Sequence, residues 1–281
     1  MRTLAKIKED LDFNKGLSSL VETLKTIAVS QYRALETKIE TYEDFIRAID
    51  GFFENLDITK INHAFLNSKN KTQFVVAITS DSGFLGGLNM QVMNAAFSEL
   101  AKNSGRLAII GERGKIYGRG SDMSFVSFPG ISDEQRYGQA MQLRDYIVDK
   151  VLSGAFGRVT VVYPRPVSFT VQSVHSFQLL PYSPLKKDAS ASNDVRDVIM
   201  ESGSDDITEY LVYLWMGQKI YDIFWLSRLA EFAARYIHLE GSLQKLKDID
   251  KKVKQEYFRI RHELIDRTMR ELFAARAIYA K

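Results

Sequence analysis

Cysteine is absent from the 281 residues, which removes disulfides, thiolate catalysis, iron–sulfur clusters and cysteine zinc sites. Metal chemistry would have to rest on four histidines and the carboxylates. Proline is scarce, and all five (Pro129, Pro164, Pro166, Pro181 and Pro184) lie in the middle of the chain. Both ends therefore lack the residue that breaks helices. No uncharged apolar run approaches the roughly 18–20 residues that span a bilayer. The richest stretch, 210–225, is interrupted by Gln218, Lys219 and Asp222, so no direct membrane insertion is expected. An excess of one charge is missing too: 38 Lys and Arg face 35 Asp and Glu, and the net +3 does not mark a nucleic-acid binder. Residues 1–16 alternate charges without an apolar core, unlike a signal peptide. A chain starting here in a cytosol-like compartment is the expectation.

What is present is apolar periodicity at both ends. Leu17, Val21, Leu24, Ala28, Tyr32, Leu35, Ile39, Tyr42, Ile46, Ile49, Phe53 and Leu56 follow in steps of three and four. That is one face of a long helix, expected over 12–55, with a coiled-coil period and one added four-residue step between Leu24 and Leu35. A similar stripe runs from Leu229 through Phe232, Tyr236, Leu239, Leu243, Leu246, Ile249, Val253, Tyr257, Ile260 and Leu264 to Met269, Leu272 and Phe273. A helix over 206–280 would be on the order of 110 Å long at 1.5 Å per residue. Such a helix cannot bury itself in a small domain, so the two ends are expected to pair as an antiparallel coiled coil.

The middle alternates short β-rich segments with helical ones. Strands are expected at 74–79, 107–110, 124–128, 159–163 and 169–179, the last after a Pro164-Arg165-Pro166 turn. Helices are expected at 89–102 and from a Ser132/Gln135 capping box to about Leu152. This order implies an α/β fold with a mostly parallel, Rossmann-like sheet. The expected divisions are 1–60 with 206–281 as a coiled-coil shaft, 70–185 as the α/β domain, and 186–205 as a linker or mobile loop.

The sharpest local signal is the glycine loop at 80–89, with Asp81, Gly83, Gly86, Gly87 and Asn89, which follows a strand and opens a helix. Backbone amides there can hold a phosphate, and Glu112 after the second strand sits where a ribose-binding acid would be. The spacing is nevertheless neither G-x-G-x-x-G nor a P-loop. Two readings stand: a structural tight turn, or the site of a nucleotide-dependent α/β oxidoreductase whose helices serve oligomerisation. Catalytic constellations are lacking. His63 and His175 have no carboxylate pattern nearby, and His238 and His262 would lie roughly 36 Å apart on one helix at 1.5 Å per residue. No catalytic residue, cofactor or metal is expected. The aromatics Tyr210, Tyr213, Trp215, Tyr221, Phe224 and Trp225 have the helical spacing of core packing. Over 251–281, nine Lys or Arg against four acids give a net +5. With Ile265, Met269, Leu272, Phe273 and Ile278 among them, this helix end reads as one that enters an apolar and acidic partner.

Several segments together resemble the gamma subunit of F-type ATP synthases, the central-stalk rotor. Residues 24–33 are similar to M-K-M-V-A-A-S-K-L-R, and 78–89 to I-T-S-D-R-G-L-C-G-G-L-N. Residues 231–235 are similar to E-H-A-A-R, and 257–261 to Y-N-R-A-R. The resemblance implies a non-catalytic rotor that couples ion translocation, of H+ or Na+, to ATP synthesis or hydrolysis. Its implied partners are the alpha and beta subunits, an epsilon-type subunit and the membrane c-subunit ring. It would be a peripheral subunit at the cytoplasmic face of the cell membrane. The glycine loop would be scaffold, without bound nucleotide. Rotor–stator contacts are expected at Lys25, Arg33, Arg259, Arg261, Arg267, Thr268, Arg270, Leu272, Phe273 and Ile278, with Arg33 matching a position that meets acidic levers of the beta subunits. Arg267-Thr268 replace the family's Gln-Glu, Arg270 its Thr, and Ala274-Ala275 its Gly-Gly. These departures suggest a specialised ATPase relative. The cysteine-bearing regulatory insert of chloroplast versions is missing.

Overall fold

The computed structural model describes residues 3–37, 45, 48–49, 51, 61, 63–121, 123–183 and 203–279, with side chains to 276. Its elements are α1 (Leu4–Glu36), β1 (Gln73–Ile78), α2 (Leu88–Lys102), β2 (Gly105–Ile110), α3 (Glu112–Arg119), β3 (Phe125–Phe128), α4 (Arg136–Leu152), β4 (Arg158–Pro166), β5 (Gln172–Leu180) and α5 (Ser204–Tyr279). The chain divides into two units, Met1–Ser30 with Tyr236–Lys281, and Gln31–Arg235.

In the larger unit the strands run β3-β2-β1-β4-β5. β1 pairs parallel with β2 and β4, β2 parallel with β3, and β4 antiparallel with β5. All six β1 residues are buried, as a strand covered on both faces requires. Phe74, Val76 and Ile78 face one core with Ala140, Leu143 and Ile147 of α4 and Val212, Met216, Ile220 and Phe224 of α5. Val75 and Ala77 face the other, against Val92, Met93 and Ala96 of α2. The first part of the long helix is thus a layer of the α/β core. α5 comes close to α4 at Gly217, where a Cβ would stand 3.0 Å from both Arg144 Nη1 and Met141 Cε. Of the aromatic cluster, Trp215, Phe224, Tyr213 and Tyr221 belong to this core, Trp225 packs with Leu35, Leu229 and Phe232, and Tyr210 is exposed.

In the smaller unit, Leu17, Val21 and Leu24 of α1 meet Leu239, Leu243 and Leu246 of α5. Both sets have i, i+4, i+7 spacing, and Lys25 Nζ lies 2.9 Å from Glu240 Oε2. Early α1 residues meet late α5 residues, so the helices are antiparallel, with the seam expected of an a/d pattern.

Four details differ from the sequence reading. α1 begins at Leu4 rather than 12, because Ile7 is fully buried and extends the stripe among charged neighbours; most of its expected continuation over 37–55 lies outside the described residues. The capping box does not form. α4 starts at Arg136 with no side-chain cap, and the Gln139 side chain instead accepts from Ser132 N–H and donates to Gly130 O. Pro164-Arg165-Pro166 is strand rather than turn, paired with 172–174 of β5; β1 ends its pairing with β4 at Val162, so no neighbour there needs the missing proline N–H. α3 was not anticipated, since two of its eight residues are glycine. The expected linker is outside the described residues up to 202, and its last residues, from Ser204, already belong to α5.

Replacing the fully buried Leu239 by Ala should cost about 3 kcal/mol in the helix pair. Amide exchange of α1 around Val21 should accelerate while β1 amides keep their protection; loss of protection in both would refute this separation.

Candidate functional site

Two regions bear on function: the glycine loop and the free end of α5. The loop leaves β1 at Thr79, and its first residues satisfy the N-terminal amides of α3. Asp81 Oδ1 accepts from Glu112 N–H at 2.9 Å, Ser80 O from Arg113 N–H at 2.9 Å, and Thr79 Oγ1 from Gly114 N–H at 3.0 Å. These are groups a helix leaves without internal partners, and a carboxylate at that positive end is favourable. Gly111, at φ +94°, lets the chain pass Thr79 O where a Cβ would come within 2.4 Å. Asn89 folds back to accept from Ser80 N–H and donate to Ser80 Oγ. Phe84 and Gly86 take positive φ, which places Leu85 and Leu88 against Ala234 of α5. Arg235 Nε donates to Gly83 O at 3.4 Å.

The cavity lined by Thr79, Ser80, Leu85, Leu88 and Asn89 holds about 10 Å³, room for about one water. Glu112 forms a 2.6 Å ion pair with Lys115. The geometry is that of a tight turn docked on α5, with the side chains of Asp81 and Thr79 and the Ser80 carbonyl engaged at the N-terminus of α3. Among the described residues no group of His, Asp and Glu is arranged to hold a metal ion. His63 meets Glu209 at 3.2 Å, and His175 packs edge-on against Tyr163.

The loop is flanked by a chain of charges on α5, on the first residue of α4 and on the turn before it. Arg228 grips both oxygens of Asp133, at 3.1 and 3.0 Å, and its Nη1 reaches Glu231 at 2.7 Å. Arg136 also donates to Asp133, at 2.9 Å, and Arg235 to Glu231. Burial raises the Asp133 carboxyl, but the bonds and charges of Arg228 and Arg136 outweigh it and leave the group below its usual range.

Of the sequence-predicted contact residues, Lys25 is already taken within the helix pair. Its hydrogen bond to Glu240 raises it against the cost of burial, and the same bond lowers Glu240. Arg33 is exposed in the last turn of α1, without a partner among the described residues. On α5, every residue from 261 to 276 is exposed. Ile265, Met269, Leu272 and Phe273 are 46%, 50%, 60% and 67% exposed, and their i, i+4, i+7, i+8 spacing makes one apolar helical face. Arg267 pairs with Glu271 at 2.9 Å, Arg259 lies 3.9 Å from Glu263, and Arg270 Nε donates to Asp266 O. Thr268 is bonded to Leu264 O, and Arg261 has no partner among the described residues. The Ile278 side chain lies outside the described residues. Sequence reasoning did not find the Asp133–Arg228–Glu231 chain; the Arg-x-x-Glu-x-x-x-Arg spacing at 228, 231 and 235 was its only signal.

One unit is thus a helix pair whose α5 ends in an exposed basic and apolar stretch, and the other is a five-stranded α/β layer. A family model described as ATP synthase matches residues 3–277, and the chain belongs to that family. It is 24% identical to the ATP synthase gamma chain of Clostridium beijerinckii, over 98% of this chain and 97% of that one. It is 23% identical to that of Chlorobium phaeobacteroides, with the same shares. Its fold matches the rotor of the Euglena gracilis mitochondrial ATP synthase with a TM-score of 0.66 at 18% identity, over 93% and 98% of the chains. It also matches the central stalk and c-ring structure of the Tetrahymena thermophila enzyme with a TM-score of 0.60 at 18% identity, over 79% and 99%.

Because Asp133 is held below its unfolded value of about 3.8, its pairing stabilises the fold fully above that value and is lost as pH falls through the lower folded one. Asp133→Asn should lower the urea midpoint at pH 7 and flatten its decline as pH falls below about 3.8. A variant whose acid limb parallels the parent's would remove Asp133 from the acid response.

Proposed function

We propose that the chain is the non-catalytic central-stalk subunit of an F-type ATP synthase or ATPase, coupling ion translocation through the membrane sector to ATP synthesis or hydrolysis in a ring of alpha and beta subunits. The observation that carries this reading is the end of α5, where residues 261–276 keep helical form with every side chain exposed. An isolated helix of that length is marginal in water, and its apolar face calls for a surrounding protein wall. The basic residues beside it suit a wall with acidic positions. The family membership and the gamma-chain relatives support the same reading.

A rotor needs no active site of its own. It acts by touching three equivalent subunits differently and so biasing each toward a different state, by as much as its contact energies differ between those states. Arg33 and Arg261 are the cations best placed for such contacts, being exposed and unpartnered among the described residues. Arg259, Arg267, Thr268, Arg270, Leu272, Phe273 and Ile278 continue the surface along α5, whereas Lys25 would first have to leave Glu240. Residues 1–60 and 206–281 form the shaft in this reading, 70–185 the α/β domain and 186–205 the connection; segments 31–60 and 206–235 of that shaft belong to the sheet's unit. An epsilon-type subunit and the membrane c-subunit ring complete the partners, at the cytoplasmic face of the cell membrane. No helix among the described residues is long and apolar enough to cross a membrane, which fits a peripheral subunit.

Co-expression with the alpha and beta subunits should yield a stoichiometric complex whose ATP turnover depends on this chain, while the chain alone hydrolyses no ATP. Failure to assemble, with nucleotide binding by the isolated chain, would reverse the assignment. Deleting 267–281 should leave the thermal unfolding of the α/β unit within about 0.5 kcal/mol, as expected for exposed residues, yet reduce ATP-driven ion pumping at least about twofold. Unfolding of the α/β unit, or undiminished pumping, would show that the end of α5 serves another purpose.

A further inference from the structure

The end of the sheet opposite the glycine loop is strongly basic, because three segments remote in sequence meet there. Gln73 N–H donates to Ser104 O at 2.9 Å, and the N–H groups of Gly157 and Arg158 donate to Thr72 O at 3.0 and 3.3 Å. Asn70 Nδ2 donates to Gly154 O at 2.7 Å. The joined stretches 69–73, 102–106 and 149–158 hold six Lys or Arg and one acid, Asp149. Lys102 is paired with Glu99 at 2.8 Å. Lys69, Lys71, Arg106, Lys150 and Arg158 are exposed and have no ion-pair partner among the described residues. Like charges gathered in this way repel one another and attract an anionic surface.

The layout of the cations says which anion suits them. Side chains along a strand alternate between the faces of the sheet. Arg106, in register with Phe74, is therefore on the α4 face, and Arg158, in register with Gln73, is on the other. With Lys69 and Lys71 just before β1, the cations ring the end of the sheet instead of lining a groove. No exposed aromatic ring lies among them to stack a base. The one large apolar side chain exposed among them is Leu152, at 46%. Acids also open α5, at Asp205, Asp206 and Glu209, the last of which meets His63 at 3.2 Å. That part of α5 lies over β5, where Trp215 packs on Phe177 and Tyr182, whereas α4 lies over β1 and β3, where Tyr146 packs on Phe74 and Phe128. Anionic lipid headgroups require no pocket, only a density of positive charge, and each Lys or Arg held near them strengthens binding by about fivefold. A leucine among the cations adds an apolar side chain that can enter the headgroup layer.

We propose that this end of the sheet is a docking surface for an anionic lipid membrane, with Lys69, Lys71, Arg106, Lys150 and Arg158 set against the headgroups and Leu152 among them. The surface requires no assembled rotor, so it stands or falls separately from the rotor reading.

The end of α5 is basic as well, so the measurement has to report locally. Because the chain has no cysteine, full-length Leu152→Cys takes a single nitrobenzoxadiazole label at this end of the sheet. Tyr137→Cys, at the opposite end of α4 and 63% exposed, takes the control label. Emission from position 152 should rise saturably with vesicles of phosphatidylglycerol and phosphatidylcholine, less so at high salt, and stay flat with phosphatidylcholine alone; position 137 should not respond. Arg106→Gln with Arg158→Gln should raise the lipid concentration needed at least about tenfold, with an unchanged melting temperature. Arg267→Gln with Arg270→Gln, which removes as much charge from the end of α5, should have a much smaller effect. Should labelled Leu152→Cys melt early, Ala155→Cys, exposed in the turn after α4, carries the label instead. No response to phosphatidylglycerol, an equal response at position 137, or equal weakening by the two arginine pairs would overturn the proposal. So would saturation by inorganic phosphate at matched ionic strength, which would assign the cluster to a small anion.

Discussion

A 76-residue helix cannot cover its own apolar face, and the rest of the structure follows from how α5 finds cover. Its first turns lie on the sheet, where Val212, Met216, Ile220 and Phe224 complete the core. Ala234 and Arg235 then receive the glycine loop. Leu239, Leu243 and Leu246 are covered by α1. After residue 260 no cover remains. Each segment takes its side-chain character from what lies against it, from large aromatics at the sheet, through alanine at the loop, to a heptad-like leucine seam. One backbone ladder therefore carries four kinds of surface, and only the last is unmatched among the described residues.

The two kinds of hydrophobic period made most of this legible. The leucine spacing at 17, 21 and 24 and at 239, 243 and 246 announced a helix pair, because 3.5-residue spacing has few other outlets. The runs at 74–78 and 107–110 read as buried parallel strands for a related reason: only a sheet covered on both sides tolerates consecutive apolar residues. What escaped notice depends on long-range partners. α3 carries glycines at 114 and 118 that lower its intrinsic preference, but the side chains of Thr79 and Ile109 would clash with any Cβ at 114. Ser132 and Gln135 have capping-box spacing, yet Gln139 from the next turn captures the Ser132 amide. The two prolines of β4 read as a turn because the sequence does not reveal that β1 stops pairing before them.

The candidate site was legible in kind more than in detail. The strand–glycine–helix order at 80–89 invited a phosphate-binding reading, and the motif spacing argued against it. In the structure the loop serves its neighbours instead: the Asp81 carboxylate accepts from the first amide of α3, and Leu85 and Leu88 pack on Ala234 of α5. A similar competition governs Lys25, which sequence similarity marks as a contact residue and Glu240 holds in the seam. An exposed pair of this sort contributes little stability, so its partner can be exchanged at small cost.

The uncovered end of α5 and the charge chain beneath the loop answer opposite demands. Arg228, Glu231 and Arg235 are largely buried and Asp133 caps them from a more exposed position, so removing Glu231 would strand guanidinium charge in a poorly solvated place. That interdependence fixes α5 against α4 and the glycine loop more specifically than apolar contact alone, since leucines tolerate sliding where bidentate guanidinium bonds do not. At the other end, Arg267 and Glu271 satisfy each other on one exposed helix, and Met269, Leu272 and Phe273 remain in water. Burial of such a face is worth about 25 cal/mol per Å², and it is withheld until another protein supplies the surface. A chain that spent this face internally would be more stable alone and would have nothing left with which to distinguish one partner state from another.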